Sequence, residues 1–201
     1  MAAKTAGPGS AIRPPYHQFA ALLGPRWHGV IREPSGSVLA EFKEPKRPAK
    51  AAFDENITDY RDTIRALFVP NAFVICSNGS EAKLGATYAP WEFFGDWKVI
   101  DADGTRCVVA LETAIGGTCA HDRLLDLVEN FTSFIERPGG LIKVVARNHQ
   151  LLGVNSAIEN LLRVRSAGEK RLGVFWHTQG SGKSLSMLGV HGLHGHAADR
   201  R

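Results

Sequence analysis

The sequence contains little that would place it outside a reducing compartment or in a membrane. Its 201 residues include three cysteines, Cys76, Cys107 and Cys119, and no Cys-x-x-Cys pair. An odd count without such pairs argues against a disulfide framework and against a thiolate-bound metal. No apolar run approaches the ~20 residues of a membrane-spanning helix, and the N-terminus lacks the apolar stretch of a secretion signal. These absences favour a cytoplasmic protein without a membrane segment.

Acidic side chains are scarce at the start of the chain. Residues 1 to 50 hold eight Lys or Arg against three Glu, no Asp occurs before Asp54, and the net charge of the whole chain is +4. An early basic face is compatible with nucleic acid and equally with an ordinary solvated surface. The 44% of hydrophobic and 22% of charged residues are typical of a folded globular protein.

The first half of the chain predicts a strand, a helix and a hairpin. Residues 1 to 37 show no period of 2 or 3.6 and predict no element, whereas residues 37 to 42 predict a strand. Apolar residues from Phe53 to Phe68, Ile64 among them, recur every three or four positions and predict a helix over about 52 to 67, with Glu55 on its solvated face. Residues 71 to 88 predict a β-hairpin that turns at Asn78-Gly79.

The second half predicts two further helices and two short strands. A helical pattern runs from Leu124 through Phe134 and Ile135, and the sequence "RPGG" at 137 to 140 predicts its end and a boundary. A short strand and a helix over about 150 to 165 follow. The apolar stretch 171 to 176 predicts another short strand.

The segment "HTQGSGKS" at 177 to 184 has the composition of a phosphate-binding loop between a strand and a helix. Gly180 and Gly182 let backbone N–H groups approach a phosphate, and the helix N-terminus adds a partial positive charge. Lys183 is placed to reach the β- and γ-phosphates, and the Ser184 hydroxyl to hold Mg²⁺. The full pattern has Gly or Ala where this chain has His177.

Gln150 lies about 30 residues before the loop, in "RNHQ". Its place is similar to that of a glutamine in helicase motors that recognises the adenine edge of ATP. An ordinary surface glutamine at the start of a helix is the alternative interpretation.

Glu41 and Lys43 stand two apart in a predicted strand, so their side chains leave the same face. This is the arrangement of the E-x-K half of a metal-dependent nuclease site, with Glu41 as a Mg²⁺ ligand and Lys43 stabilising the attacking hydroxide and the phosphate. An exposed Glu–Lys pair on a strand face is the alternative. Such a site also needs an Asp on the preceding strand, where this sequence has none.

Four stretches together resemble the restriction subunit of type I restriction-modification enzymes, namely "LAEFKEP", "DYRDTIRALFVPNAFVICSNGSEAKLGATYAPWEFFGDWK", "KVVARNHQLLGVNSAIENL" and "RLGVFWHTQGSGKSLSM". The resemblance runs from about Ala40 to Leu188. It implies an α/β chain with a PD-(D/E)xK-type nuclease domain, a mixed sheet with flanking helices, followed by the first strand, loop and helix of a RecA-like helicase domain. We therefore expect an irregular segment over 1–37, an incomplete nuclease domain over 38–138, the start of the motor over 139–188 and a tail over 189–201.

The resemblance also implies a function, cofactors and partners. The family are ATP-driven DNA translocases that cleave double-stranded DNA with Mg²⁺ and ATP, in a complex with methylation and specificity subunits. A Gln-x-x-x-Tyr element supports the nuclease site in the family; Tyr60 matches its tyrosine, and Asn56 stands at the glutamine position. The family's Pro-Asp element has no counterpart before Glu41.

Residues 1 to about 39 and 189 to 201 do not resemble the family, which leads to the expectation of a chain truncated or frameshifted at both ends. On that hypothesis the polypeptide alone gives no translocation and little or no cleavage. One alternative is a non-catalytic remnant that binds DNA or docks on the other subunits. Another is a small independent ATP-binding regulator, whose affinity for ATP would fall sharply in Lys183→Ala.

Overall fold

A five-stranded sheet forms the centre of the computed structural model, which describes residues 29–32, 38–169 and 171–199. Its strands, in spatial order, are β1 (Gly29–Arg32), β2 (Val38–Phe42), β3 (Phe73–Ser77), β4 (Ala82–Ala86) and β5 (Gly95–Asp96). The β2–β3 pair is parallel and the other neighbours are antiparallel. The sheet is therefore mixed, as predicted, and β1 lies where the sequence predicted no element.

Both faces of β2 and β3 are buried because helical segments cover the sheet on each side. On one face Leu39, Val74 and Cys76 pack against Phe53 and other residues of the β2–β3 crossover. On the opposite face Val38, Phe42, Phe73, Ile75 and Trp97 form the larger core. Strands covered on both faces are expected to be almost continuously apolar, which makes the buried Glu41 on β2 conspicuous.

The predicted helix between β2 and β3 is shorter than expected and interrupted. It consists of α1 (Lys50–Ala52), a π-helical turn (Phe53–Ile57) and α2 (Thr58–Thr63), and a 3₁₀ turn (Arg65–Phe68) follows. The helix leaves the α conformation at Ile64, whose φ is −128° and whose ψ is 57°. The prediction that Ile64 belongs to the buried stripe is wrong, since 51% of its surface is exposed.

The opposite face carries α3 (Ala110–Thr118), α4 (His121–Glu129) and α5 (Asn148–Ser166), with a hairpin of β6 (Thr132–Arg137) and β7 (Gly140–Val145) between α4 and α5. The helix predicted through Phe134 and Ile135 is wrong, because these residues lie in β6. Gly139 and Gly140 adopt φ of 112° and 121°, a conformation that favours glycine and allows a tight hairpin turn there. The expected division after residue 138 falls in this turn and stays a prediction.

The end of the described chain contains the loop and α6 (Lys183–Asp199). Residues 171 to 176 form no strand, contrary to the prediction. No strand of the described residues lies beside them, and Val174 and Trp176 are 92% and 76% exposed. A single extended segment without a neighbour gains no interstrand hydrogen bonds. None of the described helices has the length and apolar character required to cross a bilayer.

Candidate functional site

The structure places the side chains of Glu41 and Lys43 on the face of β2 that the crossover helix covers. Both residues are buried, at 3% and 6% exposure. The Lys43 backbone N–H donates to the Ser77 carbonyl at 2.8 Å and so continues the pairing of β2 with β3. The two side chains are therefore held on the interior of the sheet, rather than paired on an exposed strand face.

Lys43 connects the strand to the helix through a chain of hydrogen bonds. Its Nζ donates to Glu55 Oε2 at 2.9 Å and also to Asn56 Oδ1. The Asn56 amide in turn donates from Nδ2 to Tyr60 Oη at 3.2 Å. Lys43, Glu55, Asn56 and Tyr60 are thus joined by hydrogen bonds, and Glu41 lies on the same strand face as Lys43. We call these five residues the carboxylate–lysine centre.

Glu55 is the residue of this centre that the sequence analysis missed, since it was predicted on the solvated face of the helix. Its carboxylate lies between Lys43 and Arg47 and forms an ion pair with each. Hydrogen bonds from Lys43 and then from Arg47 lower the pKa of Glu55. A signal for it was present in the basic loop that follows β2, because Lys43 and Arg47 require a nearby anion once one of them is buried.

The Glu41 carboxyl group has an unsatisfied oxygen. Its Oε2 is buried and has no hydrogen-bond partner among the described residues. Burial raises the pKa of Glu41 from 4.5 to about 7, against the opposing attraction of Lys43. A buried carboxylate oxygen without a donor is suited to a cation, which would restore the lost solvation.

The neighbours of Glu41 in the sheet supply no second carboxylate at close range. Val30 of β1 and Cys76 of β3 are its register partners. Burial raises the pKa of the Cys76 thiol, so the thiol stays neutral. Among the described residues no group of three or more His, Cys, Asp and Glu could hold a metal.

A groove of about 820 Å³ opens at the β4–β5 edge of the sheet, and Lys83, Lys98 and Arg106 line it. Cys76 of β3 is the register partner of both Glu41 on β2 and Lys83 on β4. The side chain of Lys83 therefore leaves the same face of the sheet as that of Glu41, two strands and about 10 Å away. Lys83 pairs with Asp96 at 2.7 Å. Lys98 and Arg106 are exposed and form no ion pair in the part of the chain that the structure describes.

The loop at 177–184, predicted to bind phosphate, has both of its central glycines in the left-handed region of φ. Gly180 and Gly182 have φ of 77° and 81°, and α6 begins at Lys183. The Lys183 Nζ donates to the His177 carbonyl at 2.9 Å within the loop. Ser184 is exposed at the second position of the helix. The loop therefore presents an exposed ammonium and hydroxyl beside a helix N-terminus, as a phosphate ligand requires.

The side-chain amide of Gln150 forms hydrogen bonds within the protein, and its role as an adenine contact stays a prediction. It is 5% exposed; its Oε1 accepts from the Arg147 N–H at 2.8 Å, and its Nε2 donates to the carbonyls of Gly182 at 3.1 Å and Ser181 at 3.4 Å. Both ends of the amide are therefore engaged. A Cβ on Gly182 would lie 2.4 Å from Nε2, so glycine is required there for this contact as well as for its φ.

His149 and His177 pack beside the same loop. The His149 Nε2 lies 3.0 Å from the Ser181 carbonyl, and the two imidazole rings are 5.0 Å apart. Burial, His149 and Lys183 lower the pKa of His177. His177, which departs from the usual loop pattern, is thus a neutral packing partner of the loop at neutral pH.

Residues 149–195, which contain this loop, match the SWI2/SNF2 ATPase family. Together with the loop geometry, this match defines the class of the C-terminal part as ATPase-like.

Two curated proteins extend the comparison to most of the chain. The type I restriction enzyme HindI endonuclease subunit of Haemophilus influenzae is 39% identical over 161 residues, 75% of this chain. The provisionally named type I restriction enzyme MjaIXP endonuclease subunit of Methanocaldococcus jannaschii is 27% identical over 174 residues, again 75% of the chain. The chain is thus a homologue of type I restriction endonuclease subunits, and the resemblance drawn from the sequence is confirmed. It spans about 15% and 16% of the lengths of these relatives.

Proposed function

We propose that this chain carries the nuclease centre and the first nucleotide-binding elements of a type I restriction endonuclease subunit. The proposed activity is ATP-dependent cleavage of unmodified double-stranded DNA, in a complex with methylation and specificity subunits in the cytoplasm. The main observation in its favour is that Lys43, Asn56 and Tyr60 are joined by hydrogen bonds, beside the buried carboxyl group of Glu41 on the same strand face, in a homologue of such subunits. We assign the sheet to a PD-(D/E)xK-type nuclease domain and the loop with α6 to a RecA-like motor.

In the nuclease centre, Glu41 is the residue that would hold Mg²⁺, through its unpartnered Oε2. A bound Mg²⁺ supplies an activated water and charge neutralisation for phosphodiester hydrolysis. Lys43 presents a buried ammonium to the phosphate, and the bonds to Glu55 and Asn56 fix its position. Tyr60 supports Asn56 and thereby Lys43.

The donor set fits Mg²⁺ in part. Mg²⁺ takes about six oxygen ligands and retains several waters, so one carboxylate would leave most positions to water and to the DNA phosphate. The incomplete donor set favours a second candidate function, a remnant that binds DNA or the partner subunits without cutting. Both candidate functions would place DNA against the basic groove lined by Lys83, Lys98 and Arg106, and both are consistent with the family relationship.

At the loop, we assign ATP to the backbone of Gly180 and Gly182, with Lys183 at the β- and γ-phosphates and Ser184 at the associated Mg²⁺. Space around Gly180 supports this assignment, since a Cβ there would meet no atom within 4 Å. Lys183 would exchange the His177 carbonyl for a phosphate oxygen. A bond from the ammonium to an anionic phosphate oxygen is stronger than its bond to a neutral carbonyl.

A nicking assay on supercoiled plasmid tests the nuclease assignment. The full chain with Mg²⁺ is compared with Glu41→Gln and Lys43→Ala, and nicking that both substitutions abolish supports catalysis. Absence of nicking, with retained binding to DNA or to the methylation and specificity subunits, supports the remnant.

Titration with MgATP tests the loop separately. We expect Lys183→Ala to weaken binding at least tenfold, because the ammonium is lost at the phosphates, while Lys143→Ala serves as the matched control outside the loop. Equal affinity in the wild type and Lys183→Ala would contradict the assignment of ATP to this loop.

A further inference from the structure

Three residues at the start of α5 contact two distant parts of the chain. Asn148 is 5% exposed, and its Oδ1 accepts from the backbone N–H groups of Lys98 at 3.3 Å and Val99 at 3.2 Å. Its Nδ2 donates to the Val99 carbonyl at 2.8 Å. Asn148 therefore uses both ends of its amide on the segment that directly follows β5.

The other two residues hold the phosphate loop. Gln150 donates to the carbonyls of Ser181 and Gly182, and His149 contacts the Ser181 carbonyl. The Gln150 Oε1 also accepts from the Arg147 N–H, which locks the turn in which all three residues lie. Hydrogen bonds from neighbouring residues at the start of α5 thus join the segment after β5 to the glycine loop.

The loop contacts the rest of the described chain at the start of α5 and through α6, which packs on that helix. Residues 171 to 176 pair with no strand in the described chain, and five of the residues from 178 to 184 are exposed. The backbone N–H groups of Leu185 and Ser186 donate hydrogen bonds to the Gly182 carbonyl, at 3.0 and 3.2 Å. Gln150 contacts that same carbonyl, so it holds the first turn of α6.

We propose that Asn148 is a positioning residue that fixes the phosphate loop, through Gln150, to the sheet that carries Glu41. The buried amide of Asn148 forms three hydrogen bonds to backbone groups some fifty residues away. If the amide moved, these bonds would be lost, and buried polar groups left without partners are costly. Displacement of Asn148 must therefore move the turn that contains Gln150. This role rests on the proposed nucleotide site, which Asn148 would connect physically to the nuclease-like sheet.

Hydrogen exchange on the full chain without nucleotide tests the link independently of the proposed function. In Asn148→Ala we expect the Leu185 and Ser186 amides to exchange about tenfold faster, the effect of losing about one hydrogen bond, although Asn148 touches neither. Gln150→Ala should accelerate the same amides and leave those of Lys98 and Val99 unchanged. Asn155→Ala, which removes an amide on the same helix bonded to Asp126, is the matched control and should change neither set.

Two further readouts separate positioning from general loss of structure. The amides of β3 should keep their protection in every variant, and Asn148→Asp, which retains the acceptor for Lys98 and Val99, should restore part of the loop protection. Unchanged exchange of Leu185 and Ser186 in Asn148→Ala, with β3 intact, would overturn the inference.

A second arm adds MgADP and rests on the proposed function. In the wild type we expect MgADP to slow exchange at Lys98 and Val99 as well as at the loop, and in Asn148→Ala at the loop alone. If the wild type binds no MgADP, the nucleotide assignment fails while the nucleotide-free result still decides the inference. Slowed exchange at Lys98 in the Asn148→Ala complex would refute the link.

Discussion

Replacement of Glu41 by Gln is expected to stabilise the protein at alkaline pH and to leave it unchanged at acid pH. Burial raises the pKa of Glu41 from 4.5 to about 7, so the folded state binds its proton more tightly than the unfolded state. Stability must then fall as the pH rises from about 4.5 to about 7 and level off above. Gln keeps the size of the side chain and cannot ionise.

The magnitude follows from the same values. One pKa unit corresponds to about 1.4 kcal/mol, so the ionised Glu41 lowers the free energy of unfolding by about 3 kcal/mol at pH 8. Water that reaches the site would reduce this figure, which makes about 1 to 3 kcal/mol the expected gain in Glu41→Gln. Below pH 4.5 the two proteins should have the same stability, because Glu41 is then neutral in both states.

Urea unfolding followed by tryptophan fluorescence, to which the buried Trp97 contributes, measures this difference at a series of pH values. The difference between the two proteins removes the contributions of other titrating groups, which are common to both. Mg²⁺ added at pH 8 should recover part of the loss in the wild type and none in Glu41→Gln, if a cation completes the Oε2 site. Parallel curves from pH 4.5 to 8, or a less stable variant at pH 8, would refute the reasoning.

Two further variants, one single and one double, test the ion pairs of Glu55 and the basic groove. Glu55→Gln should lower the urea midpoint at pH 7, because the variant loses an anion whose pKa is lowered by two cationic neighbours. The midpoints of the two proteins should converge as the pH falls well below 4.5. A difference that persists at acid pH would contradict the ion-pair explanation. Lys98→Ala with Arg106→Ala should reduce the slope of log affinity against log salt for duplex DNA by about 2, roughly 0.9 for each phosphate contact. The control pair Arg65→Ala with Arg165→Ala removes the same charge from other exposed positions and should leave that slope unchanged. An equal effect of both pairs would show that DNA does not bind specifically in the groove.

The sheet was predictable where its signals were local. The apolar strand β3, the turn at Asn78-Gly79 and strand β4 follow from neighbouring residues alone, and the buried stripe of α5 follows from its period. β1 was missed because four residues between glycine- and proline-rich segments carry too little period to detect. The stretch 171–176 has the composition of a strand, but a strand also depends on a neighbour that its own sequence does not encode.

The placement of Glu41 and Lys43 on one face could be read from their spacing, and Tyr60 from the family resemblance. Glu55 lies on the exposed side of its helix, as its period predicts. Its contact with Lys43 depends on how the crossover folds back on β2, which the period of the helix does not encode. The hairpin of β6 and β7 was missed for a related reason, since the spacing of Leu124, Phe131 and Phe134 also satisfies a helix.

The position of the carboxylate–lysine centre within the crossover from β2 to β3 has a consequence for how the domain folds and diverges. Glu41, Lys43, Glu55, Asn56 and Tyr60 all come from one contiguous block of about twenty residues, so bringing them together closes only short loops and costs little chain entropy. Contacts of such low sequence separation can form before the long-range pairing of the sheet. Recombination between relatives can therefore exchange these five side chains as a single genetic unit, whereas the loop at 177–184 contacts residues about thirty positions earlier, at the start of α5.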